Sequence, residues 1–89
     1  MSRKPEFGGL VLERARKKAG MDRLDLFLAY EELCARFGIE PRSQYTYTKW
    51  MQGRNDVQSV DFNLLASVIN RDLPVPDRLR LAGVPGWTL

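Results

Sequence analysis

The stretch SQYTYTKWMQGRN, Ser43 to Asn55, decides how this chain folds. Its tyrosines, threonines and tryptophan favour a β-strand by propensity. Neither face of such a strand would be cleanly apolar, however, so a half-buried strand would gain little stability. As a helix, the same stretch places Tyr47, Trp50 and Met51 at positions i, i+3 and i+4, on one apolar stripe. We therefore predict a helix.

The residues at both ends of the stretch support this helix. Ser43 stands where the hydroxyl of an N-cap residue accepts a hydrogen bond from the first turn. Gly53 stands where a residue in the left-handed conformation ends a helix. We predict that the helix runs from Gln44 to Gln52.

Apolar residues recur at helical spacing in three other segments, about residues 9–19, 22–37 and 60–70, and a short helical turn is predicted at 77–82. Gly20, Asp22 and Gly38 mark the ends of the first two helices. No segment alternates like a strand, so we predict an all-α domain, a compact bundle of four to five helices. The expected core residues are Leu10, Val11, Ala15 and Ala19, then Leu26, Tyr30, Leu33, Cys34 and Phe37, and finally Phe62, Leu64, Leu65, Ala66, Val68 and Ile69.

Composition argues against an enzyme. At 89 residues the chain can bury one modest core, and it has no histidine to act as a general base or metal ligand. The single cysteine, Cys34, cannot form an internal disulfide or a structural zinc site, and its place on the inward stripe suits a small core residue. Glu31 and Glu32 point in different directions on a helix. We expect no catalytic residue, no metal and no cofactor.

The chain lacks the pattern of a membrane protein. No run approaches the roughly 20 apolar residues that a membrane span needs, and no signal peptide opens the sequence. We expect a cytoplasmic protein located on the nucleoid. A chain of this size has no room for a separate ligand-sensing domain, so no small-molecule ligand is expected.

The charges are unevenly distributed along the chain, whose net charge is +3. Residues 1–20 hold six basic and two acidic side chains, residues 21–41 hold two and five, and residues 42–54 hold three and none. Two positive segments thus flank an acidic one. Such segments suit contact with phosphates, although solvated helix faces are the alternative.

The face of the third helix opposite its apolar stripe presents Tyr45, Thr48 and Lys49, with Thr46 on the flank and Gln44 at the N-terminal tip. Glutamine can make a two-point hydrogen bond to adenine, and threonine can offer a methyl group to thymine. The alternative is a solvated surface, for which Glu, Lys and Ala would be better choices. We predict these five residues as contacts to DNA bases.

Residues around this helix are candidates for contacts to DNA phosphates. Arg42 and Ser43 precede the helix and Arg54 follows it, while the helix N-terminus itself attracts a phosphate. Arg3 and Lys4 lie in a glycine-containing arm that either adds a groove or phosphate contact or remains a disordered end.

The segment EELCARFGI (31–39) followed by SQYTYTKWMQGR resembles the helix-turn-helix of the Cro and phage-repressor family, the xenobiotic-response-element type. The resemblance covers about residues 10–75. It implies a lambda-repressor-like helix-turn-helix domain with an extended second helix, and a sequence-specific regulator of transcription that reads a double-stranded DNA operator. By this resemblance Gln44, Tyr45, Thr46 and Lys49 occupy base- or phosphate-contacting positions. The residues that match the family pattern are Leu33, Cys34, Gly38, Ser43, Tyr47, Trp50 and Gly53.

The sequence departs from the family pattern in three places. Arg16 matches a family arginine whose acidic partner is replaced here by Met51, so we expect Arg16 to turn to solvent or phosphate. The turn Ile39–Arg42 is longer than the family's tight turn, which affects the tilt of the recognition helix. The segment Asp22 to Ala29 lengthens the second helix by about two turns.

We divide the chain into a basic arm (1–9), a DNA-binding domain (10–82) and a C-terminal tail (83–89). Trp87 and Leu89 in the tail are candidates for a homodimer contact, or else fold back onto the core. Two-fold dimers that bind palindromic half-sites are common among helix-turn-helix proteins. The alternative function is a small protein–protein interaction module, such as an antitoxin, an anti-repressor or an inhibitor of a host factor.

Overall fold

A computed structural model describes residues 8–82. Within that range the chain forms four α-helices, α1 (Gly9–Ala19), α2 (Arg23–Arg36), α3 (Gln44–Met51) and α4 (Ser59–Asn70), followed by a 3-10 turn at Val75–Asp77. The described part contains no strand, so the predicted all-α fold is confirmed. The predictions for the arm and for the tail fall outside these residues.

The helix ends follow the predicted signals. Gly20 ends α1 with a φ of 71°, and Gly53 follows α3 with a φ of 74°. The side chain of Asp22 accepts a hydrogen bond from the Leu24 N–H, and the Ser43 hydroxyl accepts one from the Thr46 N–H at 3.2 Å. Helices α1, α2 and α3 therefore each begin or end where a local side chain or a glycine supplies the cap, whereas α4 has neither.

Helix α4 lies at the centre of the core. It packs against both α1 and α2, and α3 packs against α1. Its side chains Phe62, Leu65 and Ile69 are fully buried. The aromatic residues of α2 and α3 that lie in the same core are Phe27, Tyr30, Tyr47 and Trp50. Tyr47, Trp50 and Met51 are buried as predicted, which confirms the helical stripe of the Ser43–Asn55 stretch.

The prediction that Leu10 and Phe37 belong to the core is wrong. Leu10 is 43% exposed because the buried side of α1 is centred on Leu12 and Ala15, and Leu12 takes the place expected for Leu10. Phe37 is 45% exposed because it caps α2 with non-helical dihedral angles and no longer follows the helical period. Phe27, which the predicted stripe omitted, is buried instead.

The predicted helical turn at 77–82 is also wrong. Of residues 77–82 only Asp77 belongs to a helical element, the 3-10 turn at Val75–Asp77, and residues 78–82 form no helix. The buried amide of Asn63 on α4 binds both backbone groups of Ala82, donating at 2.9 Å and accepting at 2.7 Å. Such side-chain contacts satisfy the backbone groups that a helix would otherwise pair internally.

Arg16 does not turn to solvent or phosphate, so that expectation is wrong as well. Its Nε donates to Glu13 Oε1 at 2.7 Å, and its Nη1 donates to the Met21 carbonyl at 2.6 Å. Arg23 contacts the other oxygen of Glu13, also at 2.7 Å. Glu13, on the preceding turn of α1, is thus the acidic partner of Arg16.

Helix α1 contacts the C-terminal half of α3 very closely. A Cβ atom placed on Gly9 would lie 1.8 Å from the carbonyl oxygen of Trp50, so only glycine fits there. The neighbouring Leu10 side chain lies directly over Gly53. These contacts fix the C-terminal end of α3 against the core.

Candidate nucleic-acid interface

The outer face of α3 is open to solvent and contains no acidic residue. Tyr45 is 70% exposed, and the Nζ of Lys49 lies 4.4 Å from the centre of its ring. Gln44 is exposed at the first position of the helix. These three predicted contact residues therefore lie on one accessible surface, with a cation held over an aromatic ring.

The two threonines of α3 are half-buried, and part of their hydrogen-bonding capacity is used within the helix. Thr48 Oγ1 donates to the Gln44 carbonyl at 2.9 Å, which leaves its oxygen able to accept a hydrogen bond from a ligand. Thr46 Oγ1 accepts from the Ser43 hydroxyl at 3.2 Å and keeps its own proton to donate. The two hydroxyls thus offer opposite hydrogen-bonding roles.

The N-terminus of α3 points unpaired backbone donors outwards. Ser43 caps the N–H of Thr46, whereas the N–H groups of Gln44 and Tyr45 have no acceptor within the helix. These donors and the positive end of the helix dipole together favour a bound anion. The Ser43 hydroxyl is committed to the cap.

The two arginines that flank α3 differ in their surroundings. The Arg42 guanidinium contacts Gln58 Oε1 at 3.1 Å and Asp61 Oδ2 at 3.7 Å. Arg54 is exposed, and within residues 8–82 its guanidinium has no charged partner. Arg54 is thus available to a phosphate, whereas Arg42 is already in contact with its own chain.

An open cleft of about 210 Å³ lies beside α3, between the helix and the loop that leads to α4. Amide, hydroxyl, guanidinium and carboxylate groups surround it, so it suits a polar group more than an apolar ligand. Its lining residues are Arg42, Thr46, Trp50, Asn55, Asp56 and Gln58.

Sequence reasoning placed Tyr30 in the core but missed the burial of Asp61 and the hydrogen bond between the two residues. Tyr30 is fully buried and donates its phenol proton to Asp61 Oδ1 at 2.8 Å. Asp61 is 4% exposed, in the first turn of α4. The available signal was a lone carboxylate within the otherwise uncharged run from Val57 to Asn70.

Burial shifts the pKa of two side chains in the core of the domain. Cys34 is fully buried, and burial raises the pKa of its thiol. Burial likewise raises the pKa of the Tyr47 phenol to about 12, against the opposing effect of nearby Arg16. Across residues 8–82, no group of three or more histidine, cysteine, aspartate or glutamate residues is placed to hold a metal ion.

A second surface of a different character is formed by α2. Leu24 and Leu28, one turn apart, are 50% and 52% exposed. Asp22 and Asp25 of the same region, with Asp72, line an open groove of about 450 Å³. This part of the molecule is apolar and acidic, in contrast to the outer face of α3.

Among the described helices none is long and apolar enough to cross a membrane.

Comparison of the chain with protein-family models, with curated proteins and with solved structures finds no match. The resemblance to the Cro and phage-repressor family therefore depends on the residues quoted above.

Proposed function

We propose that this chain is a sequence-specific, double-stranded DNA-binding regulator of transcription of the Cro/repressor type. The observation that supports the proposal is the division of α3 into two faces. Tyr47, Trp50 and Met51 attach the helix to the core, while an acid-free polar face with Gln44 and Lys49 is left open. In a cell it would act on the nucleoid, in the cytoplasm.

The size of α3 fits the major groove. With its side chains an α-helix is about 10–12 Å across, close to the roughly 12 Å width of that groove in B-DNA, and the eight residues of α3 make it about 12 Å long. Inserted by its N-terminal end, the helix would direct Gln44 to an adenine edge, the Thr46 hydroxyl to an acceptor and the Thr48 hydroxyl to a donor. Lys49 would reach a guanine or a phosphate, and Tyr45 would pack beside it.

Phosphates would be bound on both sides of the inserted helix. The exposed Arg54 and the free N–H groups at the N-terminus of α3 are the strongest candidates. Arg42 and Ser43 lie at the same end, and Arg3 and Lys4 of the arm would add contacts along the groove. A homodimer, with the tail 83–89 as its contact, would place two such helices on a palindromic operator.

Selection of bound sequences from a random duplex pool at near-physiological salt tests the proposal. We expect an enriched palindrome whose half-site spacing gives the distance between the two recognition helices. Binding that is weak, strongly salt-dependent and without an enriched sequence would overturn it, because the basic residues would then contact only phosphate.

Gln44→Ala tests direct base recognition. We expect a loss of about 1–3 kcal/mol on the selected duplex and relaxed specificity at one base pair, because the two-point contact is removed. Gln52→Ala is the matched control, since Gln52 is exposed at the opposite end of the helix and should not contact a base. A Gln44→Ala protein with unchanged affinity and specificity would remove Gln44 from the interface.

Exposed leucines favour a second candidate, a protein–protein interaction module such as an antitoxin, an anti-repressor or a host-factor inhibitor. Leu24 and Leu28 present apolar surface on a helix beside acidic residues, a composition typical of partner contacts. If no duplex is enriched, a partner retained from a bacterial lysate by the wild-type protein should be lost with the double variant Leu24→Gln/Leu28→Gln.

A further inference from the structure

A buried hydrogen-bond network connects the turn before α3 to the core. The Tyr30 hydroxyl of α2 donates to Asp61 of α4 at 2.8 Å and accepts the backbone N–H of Arg42 at 3.0 Å. Tyr30 is fully buried and Asp61 is 4% exposed, so water does not compete for these contacts. Burial raises the pKa of the Tyr30 phenol, which keeps the donated proton in place.

The side chain of Arg42 strengthens the same connection. Its guanidinium contacts Gln58 and Asp61, the residue that also receives the Tyr30 proton. Arg42 is therefore attached to α2 through its backbone and to α4 through its side chain. It directly precedes Ser43, the N-cap of α3, so the network determines where α3 begins.

The opposite end of α3 is fixed by a different contact. The backbone of Trp50 lies against Gly9 of α1 so closely that a Cβ atom would not fit. With this end held, loss of the network would leave Tyr47, which is buried and donates to the Arg23 carbonyl at 2.8 Å, as the remaining restraint near the N-terminal end, and that end would tilt more easily. A tilt of about 10° would displace the far end of a helix about 12 Å long by about 2 Å, whereas binding geometry tolerates roughly 0.5 Å.

We infer that Tyr30 and Asp61 are positioning residues for DNA recognition, which hold the N-terminal end of α3 through Arg42 and never touch DNA. The inference rests on the proposed function of α3. Arg42 then acts through its contacts within the protein, and the phosphate contacts near α3 come from Arg54, Lys49 and the helix N-terminus. The lengthened turn Ile39–Arg42 is thereby restrained.

Tyr30→Phe is the central test, since it removes one buried hydroxyl and adds no bulk. We expect the ratio of affinities for the selected duplex and an unrelated duplex to fall about tenfold, as for a misplaced base contact. The dependence of affinity on salt should stay unchanged, because no phosphate contact is lost. An unchanged ratio would overturn the inference.

Asn70→Ala is the control for a general loss of stability. The Asn70 amide also makes two hydrogen bonds, to the carbonyl and the N–H of Leu79 at 3.0 and 2.7 Å, but at the other end of α4. We expect this variant to lose stability yet keep the ratio of the two affinities. An equal fall of the ratio in Asn70→Ala and Tyr30→Phe would mean that stability alone is responsible, and would overturn the positioning role.

The pair Arg42→Gln and Arg54→Gln separates the two roles of arginine. Arg54→Gln should weaken binding to every duplex and reduce the slope of log affinity against log salt by about 0.9. Arg42→Gln should lower the affinity ratio and leave that slope unchanged. A slope reduced to the same extent in Arg42→Gln would show a phosphate contact and overturn the inference for Arg42.

Amide hydrogen exchange in the free protein tests the network without DNA. Tyr30→Phe should speed exchange at Arg42, whose N–H loses its acceptor, and in the first turn of α3, relative to Asn70→Ala. If the wild-type protein enriches no duplex, the proposed function fails, and exchange still decides whether the network holds α3. Unchanged exchange in Tyr30→Phe would overturn the inference whatever the protein binds.

Discussion

Two carboxylates are buried within residues 8–82, and their partners differ. Glu13, 8% exposed on α1, lies 2.7 Å from a guanidinium nitrogen of Arg16 and 2.7 Å from one of Arg23. Asp61, 4% exposed on α4, lies 2.8 Å from the Tyr30 hydroxyl and 3.7 Å from Arg42. One carboxylate is thus held by two close cations and the other mainly by a neutral donor.

Because their partners differ, the two carboxylates are expected to stabilise different parts of the structure. The hydrogen bond from Arg16, opposed by burial and assisted by Arg23, lowers the pKa of Glu13 from 4.5 to about 2. Glu13 therefore ties α1 to the start of α2 with an energy that depends on its charge. Asp61 orders the turn before α3 through a hydroxyl. We expect Glu13 to govern the stability of the whole domain, and Asp61 to govern the placement of one helix.

The largest effect is expected from Glu13→Gln. Removing the negative charge leaves two guanidinium groups without their partner, and a pKa lowered by this amount corresponds to on the order of 3 kcal/mol of unfolding free energy. Urea unfolding of the wild type and of the variant at neutral pH measures this loss of unfolding free energy. Glu32→Gln is the control, because Glu32 pairs with Arg36 at 3.7 Å on the exposed side of α2 and should matter little. Equal losses in both variants would remove the distinction between buried and exposed pairs.

The pH dependence of stability should follow from the same residue. The folded state holds the Glu13 proton less tightly than the unfolded state, because its folded pKa is about 2 and its ordinary value is 4.5. The contribution of ionised Glu13 to the free energy of unfolding is thus fully present above pH 4.5 and is lost as the pH falls to about 2. The difference in unfolding free energy between wild type and Glu13→Gln should shrink across this window. A difference that stays constant with pH would contradict the ionic role of Glu13.

Smaller losses of unfolding free energy are expected from substitutions at Asp61. Two variants separate the contribution of its hydrogen bond from that of its charge. Asp61→Ala leaves the buried Tyr30 hydroxyl without an acceptor and should cost about 2 kcal/mol. Asp61→Asn keeps that acceptor and removes only the charge facing half-exposed Arg42, so it should cost about 0.5 kcal/mol. Urea unfolding of both variants checks the order. A loss from Asp61→Asn as large as that from Asp61→Ala would mean that Asp61, like Glu13, acts mainly through its charge.

Local signals in the sequence predicted the helices well, because capping and glycine stops depend on near neighbours. The Ser43 cap and the Gly20 and Gly53 stops were predicted correctly, and α1 has the predicted bounds. The stripe of Tyr47, Trp50 and Met51 was correct for a similar reason, since the helical period decides which residues share a face. Which of two nearby leucines faces inwards was harder to predict, as Leu10 and Leu12 show.

The candidate interface was predictable to the extent that exposure follows from the helical period. Tyr45, Thr48 and Lys49 were assigned to the outer face of α3 from their spacing, and Tyr45 is exposed whereas Thr48 and Lys49 are half-buried. Gln44, assigned to the N-terminal tip, is exposed there. The contacts of Arg42 with Gln58 and Asp61 could not be predicted, because these residues are 16 and 19 positions further along the chain. Local patterns do not report which distant side chains meet.

The sequence by itself determined the all-α class, the ends of most helices and the polar face of α3, because these depend on interactions within a few residues. Only the tertiary structure decided the partners of the buried polar groups. Glu13 joins Arg16 and Arg23, Asn63 replaces a helical turn near Ala82, and Tyr30 meets Asp61. Each of these contacts satisfies a buried donor or acceptor, and the packing of the four helices determines which partner is within reach.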